Sequence, residues 1–465
     1  MGIEMNRIIS RSLATAGLLV ILSCSGGNNP TIVPGPVPQD PKPETEKPEM
    51  QIVDVEFAHP CAYVNGDDIA RASASVSAAD ASDPVYASWL SLLDSKFAQP
   101  SWRARAVETL VRGDCKDTGV QKENYIQADE DAAAAFQLAL RWRIGGDEEC
   151  AKSAVAILNN WSLVCRRITA NDNNQYLLAG FQGHAFANAA ELLRDYSGWL
   201  TADQDRFKQW LRDVWYEKNR WFLDNHGGPN NCPLHYWSNW ELANMASIMA
   251  IGIYLEDVQM VSYVNHLFHY GDGSGALHNM IPFGAVADPD GKSPRLAQSM
   301  ESGRDQGHAT LVVSMCAELC RMAQNIGLDF WGAEDNLVLA MCEYTAKYNL
   351  KIGGEYICST MPFSPYSYCM ECSCTNRSHG TVHIAVSSAS RGTLRPCWDL
   401  IYAHYVKETG LPASHVYYTR LFADQLRYVD GILTGDAGSG DSRYGTASGA
   451  YDQLGWGTLL FWQGD

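Results

Sequence analysis

A series of amphipathic helices runs through most of this 465-residue chain and limits the folds that are open to it. From about residue 85 to 350, apolar residues recur at intervals of three and four, and short polar or glycine-rich loops separate the segments. This spacing predicts helices at 129–144, 149–163, 183–196, 203–222, 238–255, 304–326 and 333–349, and two more at 396–408 and 413–428.

Many paired helices without alternating strands predict an all-α fold. The simplest arrangement is an (α/α) toroid, or incomplete barrel, in which inner and outer helices alternate. A helical-repeat solenoid is the alternative, but the chain shows no self-similarity at a fixed period, which favours the toroid. The segment 354–392 has no helical period and is rich in Tyr, Cys, Ser and Thr, so it predicts a few short strands or a long loop.

The N-terminus has the pattern of a secretion signal. Arg7 and Arg11 precede an apolar run, 13–22, that is too short to span a bilayer and that leads into Cys24. This pattern resembles a bacterial lipoprotein signal, which implies that residues 1–23 are cleaved and that Cys24 carries acyl chains. A plain secretory signal with a chance cysteine is the alternative. The expected location is the bacterial outer membrane, on the cell surface or the periplasmic face.

The domain boundaries follow from composition. Residues 24–50 are rich in Gly, Pro, Glu and Lys, which predicts a flexible tether between the lipid anchor and the body. Residues 51–465 then form one toroid domain, expected as a monomer. The net charge of −18 and the absence of a basic run argue against a nucleic-acid partner. An acidic substrate therefore needs a local basic site.

The 14 cysteines have no regular spacing, so no disulfide framework is implied, although some pairs can still form. The densest cluster is Cys369, Cys372 and Cys374, with His379 and His383 close behind, and it could be drawn as a zinc site. No second Cys-x-x-Cys pair completes such a site, so a partly buried loop is the preferred interpretation. We expect neither a metal nor another cofactor.

The most specific polar stretch is 301–308. If it is helical, Glu301, Arg304, Asp305 and His308 stand at i, i+3, i+4 and i+7, which places four ionisable groups on one face. A surface ladder of salt bridges is the alternative interpretation. Two glycines and a histidine are poor choices for such a ladder, so a functional role is favoured.

Two further stretches concentrate polar and aromatic side chains. The first lies at a loop-to-helix junction and contains Asn231, His235, Tyr236, Trp237, Asn239 and Trp240. The second contains Tyr176, Gln182 and His184, the last two expected at the mouth of a helix of small residues. Core packing is the alternative for the aromatic residues, and a helix N-cap with a satisfied imidazole is the alternative for His184.

These stretches carry a family resemblance. Residues 188–191, 235–246, 301–308 and 452–459 resemble motifs of the alginate lyase domain family and follow in the same order, and the similarity spans about residues 85–462. The chain looks closest to the surface lipoprotein lyases of polysaccharide lyase family thirty-eight. Family five lyases share the fold but have an Asn-Asn-His triplet, whereas Cys232 follows Asn231 here. They also have a tyrosine shortly after the arginine, where this chain has His308.

The resemblance implies β-elimination of a 1,4-linked polyuronate, with alginate as the leading substrate, polymannuronate favoured and glucuronan possible. This reaction neutralises the uronate carboxylate, removes the C5 proton with a base and protonates the departing O4 with an acid. The predicted catalytic set is Arg304 and Asn231 at the carboxylate, His235 as base, and Tyr236 or His308 as acid. The predicted substrate-binding set is Gln182, His184, Tyr176, Trp237, Asn239, Trp240, Glu301 and Asp305.

The choice between acid and base stays open at this point. In mannuronate or glucuronate, the C5 hydrogen and O4 lie on the same side, so one residue can serve both roles, whereas guluronate needs two groups. Two rival functions also stay open. One is a glycoside hydrolase on the same toroid, which would use two carboxylates and a water. The other is a surface lipoprotein that binds glycans without cleaving them.

Overall fold

Helices make up most of the chain in the computed structural model, which describes residues 30–35, 47–228, 231–367, 382–445 and 448–464. The helices of the first half are α1 (Gly66–Ala78), α2 (Pro84–Asp94), α3 (Ile126–Gly145), α4 (Glu148–Val164), α5 (Asn174–Leu192), α6 (Thr201–Trp210) and α7 (Glu217–Asn225). Those of the second half are α8 (Ser238–Leu255), α9 (Val258–Tyr270), α10 (Leu277–Met280), α11 (Gln306–Asn325), α12 (Ala333–Asn349), α13 (Trp398–Tyr402), α14 (Tyr417–Leu426) and α15 (Gly457–Phe461).

The helices form the predicted (α/α) toroid. The inner helices α3, α5, α8 and α11 pack against one another in this order, and the outer helices α4, α7, α9 and α12 cover them. The short helices α13 and α15 pack together, and α15 contacts α1 and α2, which brings the end of the chain back to its beginning. The prediction of an all-α toroid is confirmed.

The contact between α5 and α8 shows why these helices are inside. Both are buried on nearly every side, because their sequences combine apolar and small residues around the whole helix. A Cβ atom at Gly180 would lie 2.8 Å from the backbone of Ala243, and one at Gly183 would collide with Oγ of Ser247. These two glycines therefore allow the two helix backbones to approach more closely than larger residues would.

The strands are short and form two-stranded sheets in the described part of the chain. The strands are β1 (Thr31–Pro34), β2 (Thr109–Val111), β3 (Arg167–Thr169), β4 (Ala285–Val286), β5 (Leu296–Ala297), β6 (Lys351–Ile352), β7 (Glu355–Tyr356), β8 (Thr360–Phe363), β9 (Tyr366–Ser367), β10 (Val382–His383), β11 (Tyr428–Val429) and β12 (Ile432–Leu433). Strands β7 to β10 fall within the non-helical segment predicted at 354–392. Strand β1 lies within the predicted tether and pairs in parallel with β8, so this part of the tether is attached to the body.

Several predicted helices differ from the structure, among them 203–222 and 183–196. The predicted helix 203–222 is interrupted by a π-helical segment, Leu211–Tyr216, which separates α6 from α7. The predicted helix 183–196 begins earlier, because α5 starts at Asn174. None of the helices in the described ranges combines the length and hydropathy that a membrane-spanning segment requires.

The carboxylate of Asp131, on α3, accepts hydrogen bonds from three donors in the protein interior. Its side chain is fully buried and accepts hydrogen bonds from the indole Nε1 of Trp102 (2.9 Å) and of Trp161 (2.8 Å) and from the backbone N–H of Arg105 (2.6 Å). Removing the carboxylate would leave these donors unsatisfied in a dry environment, and each such loss costs about 1–3 kcal/mol.

We expect Asp131→Ala to lower the free energy of unfolding by about 3 kcal/mol or more, measured by urea denaturation. Asp195→Ala is the matched control, because Asp195 pairs with Arg143 at the surface and is 66% exposed. We expect a change of less than about 1 kcal/mol for this control. Equal losses in the two variants would contradict the structural role assigned to Asp131.

Candidate active site

A cavity of about 340 Å³ opens where several inner helices begin. Leu177 and Phe181 of α5 line one wall, and Asn239 of α8 and His308 of α11 line another. All four residues lie in the first two turns or so of their helices, so the positive ends of three helix dipoles are directed at one region. Such an arrangement favours an anionic group inside the cavity.

Asp305 and His308 form a hydrogen-bonded pair at the start of α11. Asp305 is the N-cap and accepts from the backbone N–H of His308 (2.9 Å), and its other oxygen lies 2.7 Å from Nδ1 of the same imidazole. Burial acts to raise the pKa of Asp305, but the contacts with His308 and the charge of Arg304 outweigh it, so the pKa lies below its ordinary value. The side chain of His308 is 36% exposed, and both residues line the cavity. Asp305 therefore orients the imidazole of His308 through Nδ1, and the opposite edge of the ring, with Nε2, is left for contact with a substrate.

Arg304 lies beside this pair. Its guanidinium is 3.3 Å from a carboxylate oxygen of Glu301 and 3.8 Å from one of Asp305, and it stacks over the ring of Trp237 at 4.8 Å. Glu301 is fully buried, and burial raises its pKa although Arg304 and His308 act to lower it. Arg304 keeps 26% of its side-chain surface exposed, so it is held in place and still accessible.

The structure corrects the expectation that residues 301–308 form one helical face. Residues 301–304 form turns, and the backbone of Asp305 is extended (φ −167°, ψ 163°), so the helix begins only at Gln306. The side chain of Asp305 caps α11, and this capping bond competes with helix formation before it. The four ionisable residues are still close together, but through a turn and an N-cap rather than through helical periodicity.

The loop before α8 brings His235 and Tyr236 close together, with ring centroids 4.7 Å apart. His235 is 5% exposed, and burial lowers its pKa. The hydroxyl of Tyr236 accepts a hydrogen bond from Nδ2 of Asn173 (2.8 Å), and burial raises its pKa. Neither residue lines the cavity. Asn231 is exposed with a left-handed backbone (φ 52°), and Cys232 is disulfide-bonded.

The predicted stacking residues are largely covered by neighbouring side chains. Trp237 is 5% exposed and lies between Arg304 and His383. Trp240 is partly buried and stacks on Tyr236 at 4.3 Å. Tyr176 is 8% exposed and stacks on Trp221 at 4.7 Å.

Gln182 and His184 lie in the interior of α5 and not at the mouth of a helix, where they were expected. Each is 2% exposed. Gln182 donates to a carboxylate oxygen of Asp129 (2.8 Å), below the wall of the cavity. Burial lowers the pKa of His184 to about 3, and its Nδ1 lies 3.6 Å from Glu318, whose pKa burial raises to about 8. The early start of α5 explains this difference, because it places both residues in the third turn of the helix.

The structure adds residues that the sequence patterns did not identify. Arg112 and Arg395 line the cavity together with Asp452, and burial raises the pKa of Asp452 although the nearby arginines act to lower it. His383 contacts the ring of Tyr366 at 5.0 Å, and in the described part of the chain its Nε2 has no hydrogen-bond partner. Single arginines far apart in the chain carry no pattern, so no sequence signal distinguished Arg112 and Arg395 from the other arginines.

Metal binding has little support in the described residues. Cys369, Cys372, Cys374 and His379 lie outside them. The described ranges contain one cluster with ligand atoms within 4.8 Å of one another, which is His59, Cys61 and Glu191. Nδ1 of His59 already contacts Glu191 at 2.6 Å, and Arg194 takes the other oxygen of this carboxylate at 3.2 Å. This cluster is an ion-pair network at the C-terminal end of α5, away from the cavity.

Fold and site together place the chain among the polysaccharide lyases. A family model described as alginate lyase matches residues 89–353, more than half of the chain, and the chain belongs to this family. A solved alginate lyase from Bacteroides ovatus superposes with a TM-score of 0.51 at 12% identity, covering 84% of this chain and 99% of that one. An alginate lyase A1-III from Sphingomonas species A1 gives a TM-score of 0.47 at 13% identity, covering 88% and 97%. A comparison with curated proteins found no match.

Proposed function

We propose that this enzyme cleaves a 1,4-linked polyuronate by β-elimination and that alginate, in particular its polymannuronate blocks, is the substrate, with glucuronan as the next candidate. The observation that carries the proposal is the Asp305–His308 pair, which faces the cavity directly beside Arg304. The family name and the arginines of the cavity also support an acidic polysaccharide. Membership of polysaccharide lyase family thirty-eight stays a prediction.

The first step of the elimination requires that the negative charge of the uronate carboxylate be neutralised. Arg304 is accessible and held by Glu301, and its planar guanidinium can donate two parallel hydrogen bonds to the carboxylate of the uronate. The N-terminal ends of α8 and α11 add positive potential at the same place. With its charge balanced, the carboxylate can delocalise the electron pair that forms when the C5 proton leaves.

Proton transfer follows from the orientation of His308. Asp305 holds Nδ1–H, so Nε2 is the basic nitrogen on the cavity side and takes the C5 proton. The electron pair left at C5 forms the C4–C5 double bond and expels O4. The imidazolium of His308 then returns the proton to O4, so the histidine ends neutral and the new end is a 4,5-unsaturated uronate.

A single acid–base residue fits a substrate whose C5 hydrogen and O4 lie on the same face, as in mannuronate. This assignment differs from the sequence-based hypothesis that His235 is the base, because His235 is 5% exposed and does not line the cavity. In the proposal, His235 and Tyr236 support the wall of the site and keep its aromatic loop in place.

The positions of the carboxylates near the cavity argue against the alternative function, a glycoside hydrolase. A hydrolase needs two carboxyl groups that can reach the glycosidic bond. Glu301 is fully buried, and both oxygens of Asp305 are engaged by His308. Asp452 also lines the cavity and lies 3.9 Å from Nη1 of Arg395, but the other carboxylate among the described lining residues, Asp305, is the one engaged by His308.

The test is the ultraviolet absorbance of the conjugated unsaturated uronate, followed with purified protein on polymannuronate, polyguluronate, glucuronan and hyaluronan. We expect the fastest rise on polymannuronate. New reducing ends without the absorbance would indicate a hydrolase. If the absorbance stays constant on all four polymers and a polymer retards the protein in an affinity gel, the lyase proposal is wrong and a glycan-binding function takes its place.

We also propose that the enzyme acts while anchored to the bacterial outer membrane through lipidated Cys24. The basic residues and the short apolar run before this cysteine support the anchor.

A further inference from the structure

We propose that Trp221, Tyr176 and Lys218 form an outer sugar subsite, which binds the polyuronate chain beyond the cavity where the bond is cleaved. The proposal rests on the proposed function for the identity of its ligand, an acidic polysaccharide. It assigns a binding role to Trp221 and Lys218, which the sequence patterns did not identify, and it gives Tyr176 a supporting role in place of direct stacking.

The first observation is an open indole face on a rigid support. Trp221 of α7 is 43% exposed, although most tryptophans of the described chain are buried. The ring of Tyr176 lies against it, with centroids 4.7 Å apart and an interplanar angle of 12°. Since one face of the indole is covered by Tyr176, the exposed area belongs to the other face and the edge. A flat, immobilised aromatic face of this kind suits the C–H face of a pyranose ring.

The second observation is continuity with the cavity. Tyr176 is followed by Leu177, which lines the cavity, so both residues lie in the first turn of α5. The aromatic rings continue inwards from Tyr176 to Phe222 (5.7 Å) and from Phe222 to Tyr236 (5.6 Å). Phe222 is buried, so these contacts fix the aromatic pair to the loop before α8, and the stack on Tyr176 places Trp221 at the end of the toroid where α5 begins and the cavity opens.

The third observation is the positive charge beside the aromatic pair. Nζ of Lys218 lies 5.5 Å from the ring centroid of Tyr176 and donates a hydrogen bond to Oε1 of Gln175 (2.7 Å). In the described ranges, no carboxylate lies within ion-pair distance of Lys218, whereas its neighbour Arg220 is paired with Asp224. An ammonium group has three donors, so Lys218 can still bind a carboxylate. A neutral sugar has no negative group that could pair with the ammonium of Lys218, whereas each unit of a polyuronate carries a carboxylate.

The test compares substrates of different length. In Trp221→Ala and Lys218→Met, we expect kcat/KM on the long polymer to fall roughly three- to tenfold, mainly through KM, because one stacking contact or one charge contact is lost. The ratio of efficiency on the polymer to efficiency on the shortest oligosaccharide that is cleaved should fall by the same factor. Trp221→Phe should recover part of the loss.

Tyr270→Ala is the matched control, because Tyr270 is 45% exposed on the outer helix α9. We expect wild-type kinetics with this variant on both substrates. An equal loss on polymer and short oligosaccharide in Trp221→Ala, or no loss on either, would overturn the subsite.

A failure of the proposed function is distinguishable from a failure of the subsite. If wild-type protein cleaves no polyuronate, mobility in native gels containing polymannuronate tests the subsite alone. Retardation of the wild type that Trp221→Ala weakens would support the subsite. Equal mobility of the two proteins, with or without the polymer, would overturn it.

Discussion

Replacing Arg304 by alanine is expected to lower kcat/KM on the polyuronate by about 10²- to 10³-fold, because the carboxylate beside C5 then lacks its main counter-charge in the transition state. Arg304→Lys keeps the charge but loses the planar fork, so we expect an intermediate rate. The measurement is the initial rate of absorbance increase at several polymer concentrations, which separates kcat from KM.

Arg212→Ala is the matched control for this experiment. Arg212 is a partly exposed arginine paired with Asp257 on the outer layer of the toroid, and its removal changes the net charge of the protein by the same amount. We expect the control to retain activity. If Arg304→Ala and Arg212→Ala have similar rates, the carboxylate is neutralised by another group, and Arg112 and Arg395 become the next candidates.

Changes at the start of α11 should have a comparably large effect. We expect His308→Ala to reduce kcat by about 10²- to 10⁴-fold, the range for loss of a general acid–base group. Asp305→Asn is the sharper variant, because asparagine is as good an N-cap as aspartate but carries no charge to orient the imidazole. It should reduce kcat strongly while leaving the thermal unfolding temperature close to that of the wild type.

His235→Gln is the comparison that separates the two assignments of the base. If His308 is the base, His235→Gln should lose much less activity than His308→Ala. The reverse order, an inactive His235→Gln with an active His308→Ala, would restore the sequence-based hypothesis and remove the role proposed for the Asp305–His308 pair.

The helical architecture could be predicted well because it depends on local periodicity. Helix α4 spans Glu148–Val164 where 149–163 was expected, and α8 spans Ser238–Leu255 where 238–255 was expected. One expectation was wrong because a side chain competes with the helix. Asp305 caps α11 and prevents helix before it, although the spacing of residues 301–308 fits a helical face.

The site itself could be predicted only in part. The motifs predicted roles for Arg304, Asp305 and His308, and the structure places Asp305 and His308 in the lining of one cavity, with Arg304 3.8 Å from Asp305. Gln182 and His184 were expected at the mouth of a helix but lie buried in its interior, because nothing in the periodicity of an all-round apolar helix marks which of its residues face a cavity. Arg112 and Arg395 were not identified, since each stands alone in the sequence.

The sequence by itself determined the helices, their alternation and the residue types that can carry an elimination reaction, because amphipathic spacing, capping side chains and motif chemistry are local properties. Only the tertiary structure decided which side chains share the cavity. That outcome depends on the packing of α5 against α8 and of α8 against α11, which brings the N-terminal ends of these inner helices together and joins residues from distant parts of the chain. Pairwise packing over such separations leaves no periodic trace in the sequence.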